Sequence, residues 1–245
     1  MNKHKPIKWN RKELKLHLLN NGRFTIDKSL LVYAKYQGQI YEAALKPLLI
    51  KTEKENILVD TGIGKLPDTH EKFHTIKRNK DQTLKMQLQK FDLKPEDIDI
   101  VANTHLHFDH CGNNVLFPKA KFYVQADEIR YAYAPDRFQR AAYVQEFFDI
   151  KVEYVPLKGK YEIVDNISVA PTPGHCPGHQ SIIIKEREKN YVYCGDVAPL
   201  SENLEKRNIP GVLHRADEAL KSIDSLRHIE NAVYIFSHDN EQMIL

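Results

Sequence analysis

Four short β-rich runs in this chain each lead into a histidine or an aspartate, and that recurrence constrains the fold more than any other feature. Asp99-Ile100-Val101-Ala102 runs into Thr104-His105, and Ile167-Ser168-Val169-Ala170 runs through Pro171-Thr172-Pro173-Gly174 into His175. Tyr191-Val192-Tyr193-Cys194 leads to Gly195-Asp196, and Val233-Tyr234-Ile235-Phe236 leads to Ser237-His238. Between these runs the apolar spacing predicts helices. Leu84, Leu88 and Phe91 share one face, and Ala216, Leu220, Ile223 and Leu226 share another. A further helix is expected from Arg137 to Phe148, after Pro135 and with Asp136 as its cap. Leu14 to Ile57 reads as strand and turn, with Asn20-Asn21-Gly22 and Tyr36-Gln37-Gly38-Gln39 as turn signals.

The segment His105-Leu106-His107-Phe108-Asp109-His110 places four metal-ligating side chains in six positions. Imidazole and carboxylate suit zinc and its neighbours, and histidines at i and i+2 of a strand end face one side. Once the chain turns, Asp109 and His110 can face a second ion. The chain holds 12 histidines, but chance clustering is a poor account of so dense a motif placed directly after a strand. His175 sits in a Pro/Gly-held turn and is the natural third ligand of the first ion. His179 competes with it, although a packing or supporting role is the commoner one for a histidine beside such a turn. Taken alone, Asp196 is equally a turn aspartate or a ligand, and His238 equally a surface histidine or a ligand.

Composition narrows the partners. The 36 Lys and Arg against 33 Asp and Glu give a net charge of +3, too balanced for a polyanion partner, so no nucleic acid is expected. No apolar run nears the ~20 residues of a membrane helix, and the basic start lacks a secretory apolar segment, so the expectation is a cytoplasmic protein without membrane contact. Three cysteines without C-x-x-C spacing suggest reduced thiols. Without repeats or linkers, residues 1–245 read as a single domain. Lys3, Lys5, Lys8, Arg11 and Lys12 are expected to form a solvated arm, not a recognition patch.

Together these motifs resemble the metallo-β-lactamase superfamily, and within it the N-acyl-homoserine lactonases. The resemblance is carried by Thr104 to His110, Thr172 to Ser181, Gly195-Asp196 and Phe236 to Gln242, and spans 14–245 in the family's order. It implies an α/β fold, an αββα sandwich of two mixed β-sheets with helices on the outer faces. It also implies His105, His107 and His175 around one metal, Asp109, His110 and His238 around the other, and Asp196 bridging them. The cofactors would be two divalent ions, with zinc expected and iron, manganese or cobalt also suited. The expected chemistry is opening of a lactone or small carboxylic ester by a metal-bridging hydroxide, with Asp109 as the catalytic carboxylate that passes a proton to the leaving oxygen. Quorum quenching would be the biological outcome, and a homodimer is left open.

Two motifs read as decoys. His70-Glu71-Lys72-Phe73-His74 matches H-E-x-x-H, but its surroundings are polar and give no apolar stripe to seat a protease helix; Phe73 is instead expected in the acyl pocket that the resemblance implies. Asp60-Thr61-Gly62 lacks the second triplet an aspartic protease needs; the resemblance, whose superfamily carries a similar Asp-Thr-Gly after an early strand, implies instead that Asp60 is a hydrogen-bonded structural residue near the site. Competing activities are a phosphodiesterase or nuclease and a glyoxalase II-like thioesterase. Against the first stands the balanced charge and against the second the seven residues that follow His238, where a helical extension is expected. One departure stands out. The lactonases carry a tyrosine three residues after the bridging aspartate, where this chain has Pro199; His214 or a tyrosine between Tyr131 and Tyr143 would have to supply the missing donor.

Overall fold

The computed structural model describes residues 14–71 and 75–242. In chain order, β1 (Lys15–Leu18), β2 (Arg23–Asp27), β3 (Ile40–Ala44), β4 (Leu48–Lys51) and β5 (Asn56–Val59) come first. They are followed by α1 (Asp68–Glu71), β6 (Ile76–Lys77), α2 (Leu84–Gln89), β7 (Ile100–Ala102), α3 (Phe108–Cys111) and β8 (Lys121–Gln125). Next come α4 (Ala126–Tyr133), α5 (Gln145–Phe148), β9 (Glu153–Leu157), β10 (Tyr161–Val164), β11 (Ile167–Pro171), β12 (Gln180–Glu186) and β13 (Lys189–Tyr193). The last elements are α6 (Ser201–Glu205), α7 (Ala216–Arg227) and β14 (Ala232–Ile235).

Two mixed sheets form the middle layers, ordered β1-β4-β5-β7-β8-β9 and β10-β11-β12-β13-β14. Their facing sides interleave Leu48, Ile50, Ile57, Val59 and Ala102 of the first with Val169, Ile182, Ile184, Tyr193 and Ile235 of the second. Because the side-chain period of a strand is two, Leu49, Leu58 and Val101 emerge on the outer face, where Leu84 and Leu88 of α2 cover them. On the far side Val192 and Cys194 meet Leu204, Ile223 and Leu226 of α6 and α7. Both faces of the central strands are therefore buried, which is why these strands read as continuous apolar runs. The α/β sandwich expected from the sequence is present. A third, antiparallel sheet, β3-β2-β6, is added to it; Phe24 and Ile26 of β2 pack there with Leu106 and Phe108.

Helices account for the differences from the sequence reading. The helix expected over 137–148 is a 3-10 turn at Arg140–Ala142 followed by α5, and α4 precedes both. Asp136 does not cap it, because the Asp136 carboxylate accepts from the Tyr131 hydroxyl. Gln139 and Tyr143 turn inward to bond groups around the site, which a continuous helix would not allow. In α7 the buried stripe is Ala219, Ser222, Ile223 and Leu226, one step round from the expected one, and Ala216 is exposed. No helix among the described residues is long and apolar enough to cross a membrane.

Candidate metal centre

The candidate ligands meet at one end of the sandwich because of strand register. β13 and β14 run parallel with Tyr193 opposite Ile235, so Asp196 and His238, each three residues further on, arrive side by side. β11 and β12 pair Pro171 with Gln180, and the Thr172 N–H donates to the His179 carbonyl, closing a loop that carries His175 between them. Gln180 ties this loop to the other sheet: its backbone N–H donates to the Thr104 carbonyl and its side chain to the Asn103 carbonyl. After β7, His105 and His107 lie on an extended stretch, and His107 caps α3, whose first turn presents Asp109 and His110.

Two groups of donors result, His105, His107 and His175 in one and Asp109, His110, Asp196 and His238 in the other, all seven buried. In the first, His175 Nε2 lies 3.2 Å from His105 Nε2 and 3.0 Å from His107 Nδ1. In the second, Asp196 Oδ1 lies 3.2 Å from both His110 Nε2 and His238 Nε2, and Asp109 Oδ2 lies 3.7 and 3.5 Å from the same two atoms. Asp196 Oδ2 faces the first group, 3.8 Å from His175 Nε2.

Hydrogen bonds behind the rings set which nitrogen is bare. The Nδ1–H of His175 donates to the Val212 carbonyl, that of His238 to the Ala44 carbonyl and that of His110 to Asp60 Oδ2. His105 Nδ1–H donates to Thr104 Oγ1, which donates in turn to Asp60 Oδ2. In these four rings the hydrogen bond at Nδ1 leaves Nε2 as the nitrogen turned toward the other donors, the one through which a metal would be held. His110 Nε2 and His238 Nε2 are buried without a hydrogen-bond partner, as expected where lone pairs aim at an ion. The donor set therefore fits two divalent cations, one held by imidazoles and one by mixed imidazole and carboxylate.

Electrostatics without metal match this division. Burial, reinforced by mutual repulsion, holds His105 and His107 well below the ordinary imidazole range, and burial lowers His175. Burial works against ionised Asp196 too, but the adjacent His238 and His110 outweigh it and hold the carboxyl well below its usual range.

His179, the competing ligand, has both nitrogens engaged elsewhere. The Asp196 N–H donates to its Nε2 at 2.9 Å, and its Nδ1–H donates to Thr172 Oγ1, continuing through Ser181 Oγ to the Cys194 carbonyl. Burial pushes this imidazole down to about 3, so it accepts from Asp196 as a neutral ring. Gly195 permits the contact: its φ is +61°, and a Cβ there would lie 2.6 Å from His179 Nε2. Asp60, also in the left-handed region at φ +56°, accepts from the Thr104 N–H, the Thr104 hydroxyl and His110.

A sequence model of the metallo-beta-lactamase superfamily matches residues 47–238. The chain belongs to this superfamily. An N-acyl homoserine lactonase of Bacillus cereus is 29% identical over 241 residues, covering 93% of this chain and 94% of that protein. The structure of an AiiA variant from B. thuringiensis with N-decanoyl-L-homoserine at its active site is 28% identical, with a TM-score of 0.83 over 94% of this chain and 95% of that one. An N-acyl homoserine lactone hydrolase with N-hexanoyl-L-homoserine at its catalytic metal centre superposes with a TM-score of 0.82 at 28% identity, over the same shares of the two chains.

The H-E-x-x-H segment is described only at its start. His70 is placed in the short α1, with Nδ1 3.1 Å from Thr69 Oγ1 and Nε2 3.2 Å from the Ala141 carbonyl; Lys72, Phe73 and His74 lie outside the described residues, as does the basic arm. Glu128 was not singled out by sequence. It shares the buried face of α4 with Ala132, and that periodicity is its only local signal, in a helix the pattern did not predict.

Proposed function

We propose that this protein is a binuclear metal-dependent hydrolase, acting as a single cytoplasmic domain, that opens lactones or hydrolyses small carboxylic esters. The observation that carries the reading is the position of Asp196, with one carboxylate oxygen toward His110 and His238 and the other toward His175. His105, His107 and His175 would hold one ion, and Asp109, His110 and His238 the other, with Asp196 shared and zinc the expected metal. When bound, such a pair supplies Lewis acidity toward a carbonyl oxygen and lowers the pKa of water toward neutrality. The protein's own part is orientation and proton transfer. Asp109 Oδ2, beside His238 and His110, takes a proton from the attacking water and returns it to the leaving oxygen, which in a lactone stays on the product as its alcohol. Ser237 Oγ donates to Asp196 Oδ1 at 2.7 Å and fixes that carboxylate.

The relatives named N-acyl homoserine lactonase support a lactone substrate, and a similar structure described as a quorum-quenching N-acyl homoserine lactone hydrolase supports a quorum-quenching role. Pro199 argues that N-acyl-homoserine lactone is not the preferred one. Its ring offers no donor, and its carbonyl already accepts from the His238 N–H. Tyr143 and Tyr131 donate to Glu128 and Asp136. His214 keeps Nδ1 without a hydrogen-bond partner and is the better substitute. The test is a panel of short- and long-chain homoserine lactones, other lactones, aryl esters, phosphodiesters and S-lactoylglutathione, with metal content measured. The expected result is two ions per chain and turnover highest on a lactone or carboxylic ester. Phosphodiester turnover far above these, or one ion per chain with no loss in His238→Ala, overturns the reading.

A further inference from the structure

Glu128 is a fully buried carboxylate that the catalytic scheme does not use. Its Oε1 accepts from the Leu106 N–H at 2.9 Å and from the Tyr143 hydroxyl at 3.0 Å, and its Oε2 accepts from the Gly178 N–H at 3.2 Å. Leu106 lies between His105 and His107, and Gly178 lies three residues after His175. One side chain thus joins the two loops that supply the imidazole group, although they are far apart in sequence. Tyr143 adds a third link, since its ring packs edge-on against the His107 imidazole with centroids 4.6 Å apart. The approach is too close for a side chain at 178: a Cβ on Gly178 would overlap the Glu128 backbone. None of these bonds reaches Asp109, His110, Asp196 or His238.

We propose that Glu128, with Tyr143, is a positioning residue for the His105–His107–His175 site, holding its two loops at the spacing one ion requires while leaving the carboxylate-containing site to other supports. Backbone donors clamped by a buried charge are costly to leave unpaired, and removing a group that supports a metal's ligands commonly lowers affinity ~10- to 100-fold. The inference rests on the binuclear reading above. Chelator-treated wild type, Glu128→Ala, Glu128→Gln and Tyr143→Phe are titrated with Co(II), and the two sites are followed by their separate absorption bands, assigned with His175→Ala and His238→Ala. Glu128→Ala is expected to weaken the imidazole site ~10- to 100-fold with less than ~3-fold change at the other. Glu128→Gln, whose amide oxygen can still accept from Leu106 and Tyr143 while its NH2 faces Gly178, is expected to recover part of the loss. Tyr143→Phe, which keeps the ring contact, is expected to lose less than Glu128→Ala. Unchanged affinity at the imidazole site in both Glu128 variants, or equal losses at the two sites, overturns the proposal. A wild type that binds one ion instead overturns the binuclear reading itself.

Discussion

Replacing Asp60 by asparagine isolates what the buried carboxylate does for the second ion. Asparagine tolerates the +56° φ of this residue, whereas alanine would add ~1–2 kcal/mol of left-handed strain. The Thr104 N–H, 2.7 Å from Oδ1, keeps the amide oxygen on its side, so the NH2 takes the place of Oδ2, where His110 Nδ1–H now donates. Two donors then face each other. His110 relieves this by moving its proton to Nε2, the atom 3.2 Å from Asp196 that the proposed ion needs. A hydrogen bond to a charged group is worth ~1.5–3 kcal/mol, and at ~1.4 kcal/mol per factor of ten the second site should weaken ~10- to 100-fold. The imidazole group, whose link to Asp60 runs only through Thr104 and His105, should change less than ~5-fold. Calorimetric titration of chelator-stripped wild type and Asp60→Asn with zinc, paired with thermal denaturation of the metal-free forms, measures both. A folded variant that binds both ions within ~3-fold of wild type would refute the tautomer argument.

Three further perturbations probe separate parts of the site. Asp109→Asn should lower turnover by at least ~100-fold in a folded protein, with metal content assayed alongside to separate lost proton transfer from lost metal. Gly195→Ala should cost ~2–5 kcal/mol in chemical denaturation and reduce metal content, since its Cβ would press on His179 Nε2 from a left-handed backbone. Lys46 donates to the Asp239 and Gln242 carbonyls, and burial lowers its ammonium from 10.5 to about 8. Between those values the unfolded chain binds more protons than the folded one, so stability should rise with pH across the window, by up to ~3 kcal/mol. Melting curves of Lys46→Met, which has no proton to lose, should lack that rise.

The dense His105-to-His110 motif and His175 stood out locally, as metal-ligating residue types placed just after β-rich runs, whereas Asp196 and His238 were ambiguous alone and joined the set through the family resemblance. Asp60 was assigned through the same resemblance, and His179 was expected from its turn in a supporting role, whose partners, the Asp196 N–H and Thr172 Oγ1, only the structure supplied. The breakdown of the 137–148 helix and the position of Glu128 were not readable, because Gln139, Tyr143 and Glu128 answer to groups brought near only on folding: the His175 carbonyl, Leu106 and Gly178. The third sheet has the same character, since β2 joins β3 and the distant β6 by pairing that no local pattern dictates. Sequence alone determined which side chains can bind metal and that strands deliver them. Tertiary structure decided how they are grouped, because the parallel register of Tyr193 with Ile235 sets Asp196 beside His238 and turns its second oxygen toward His175. A one-residue slip in that register would reverse the strand's faces and draw the two groups apart.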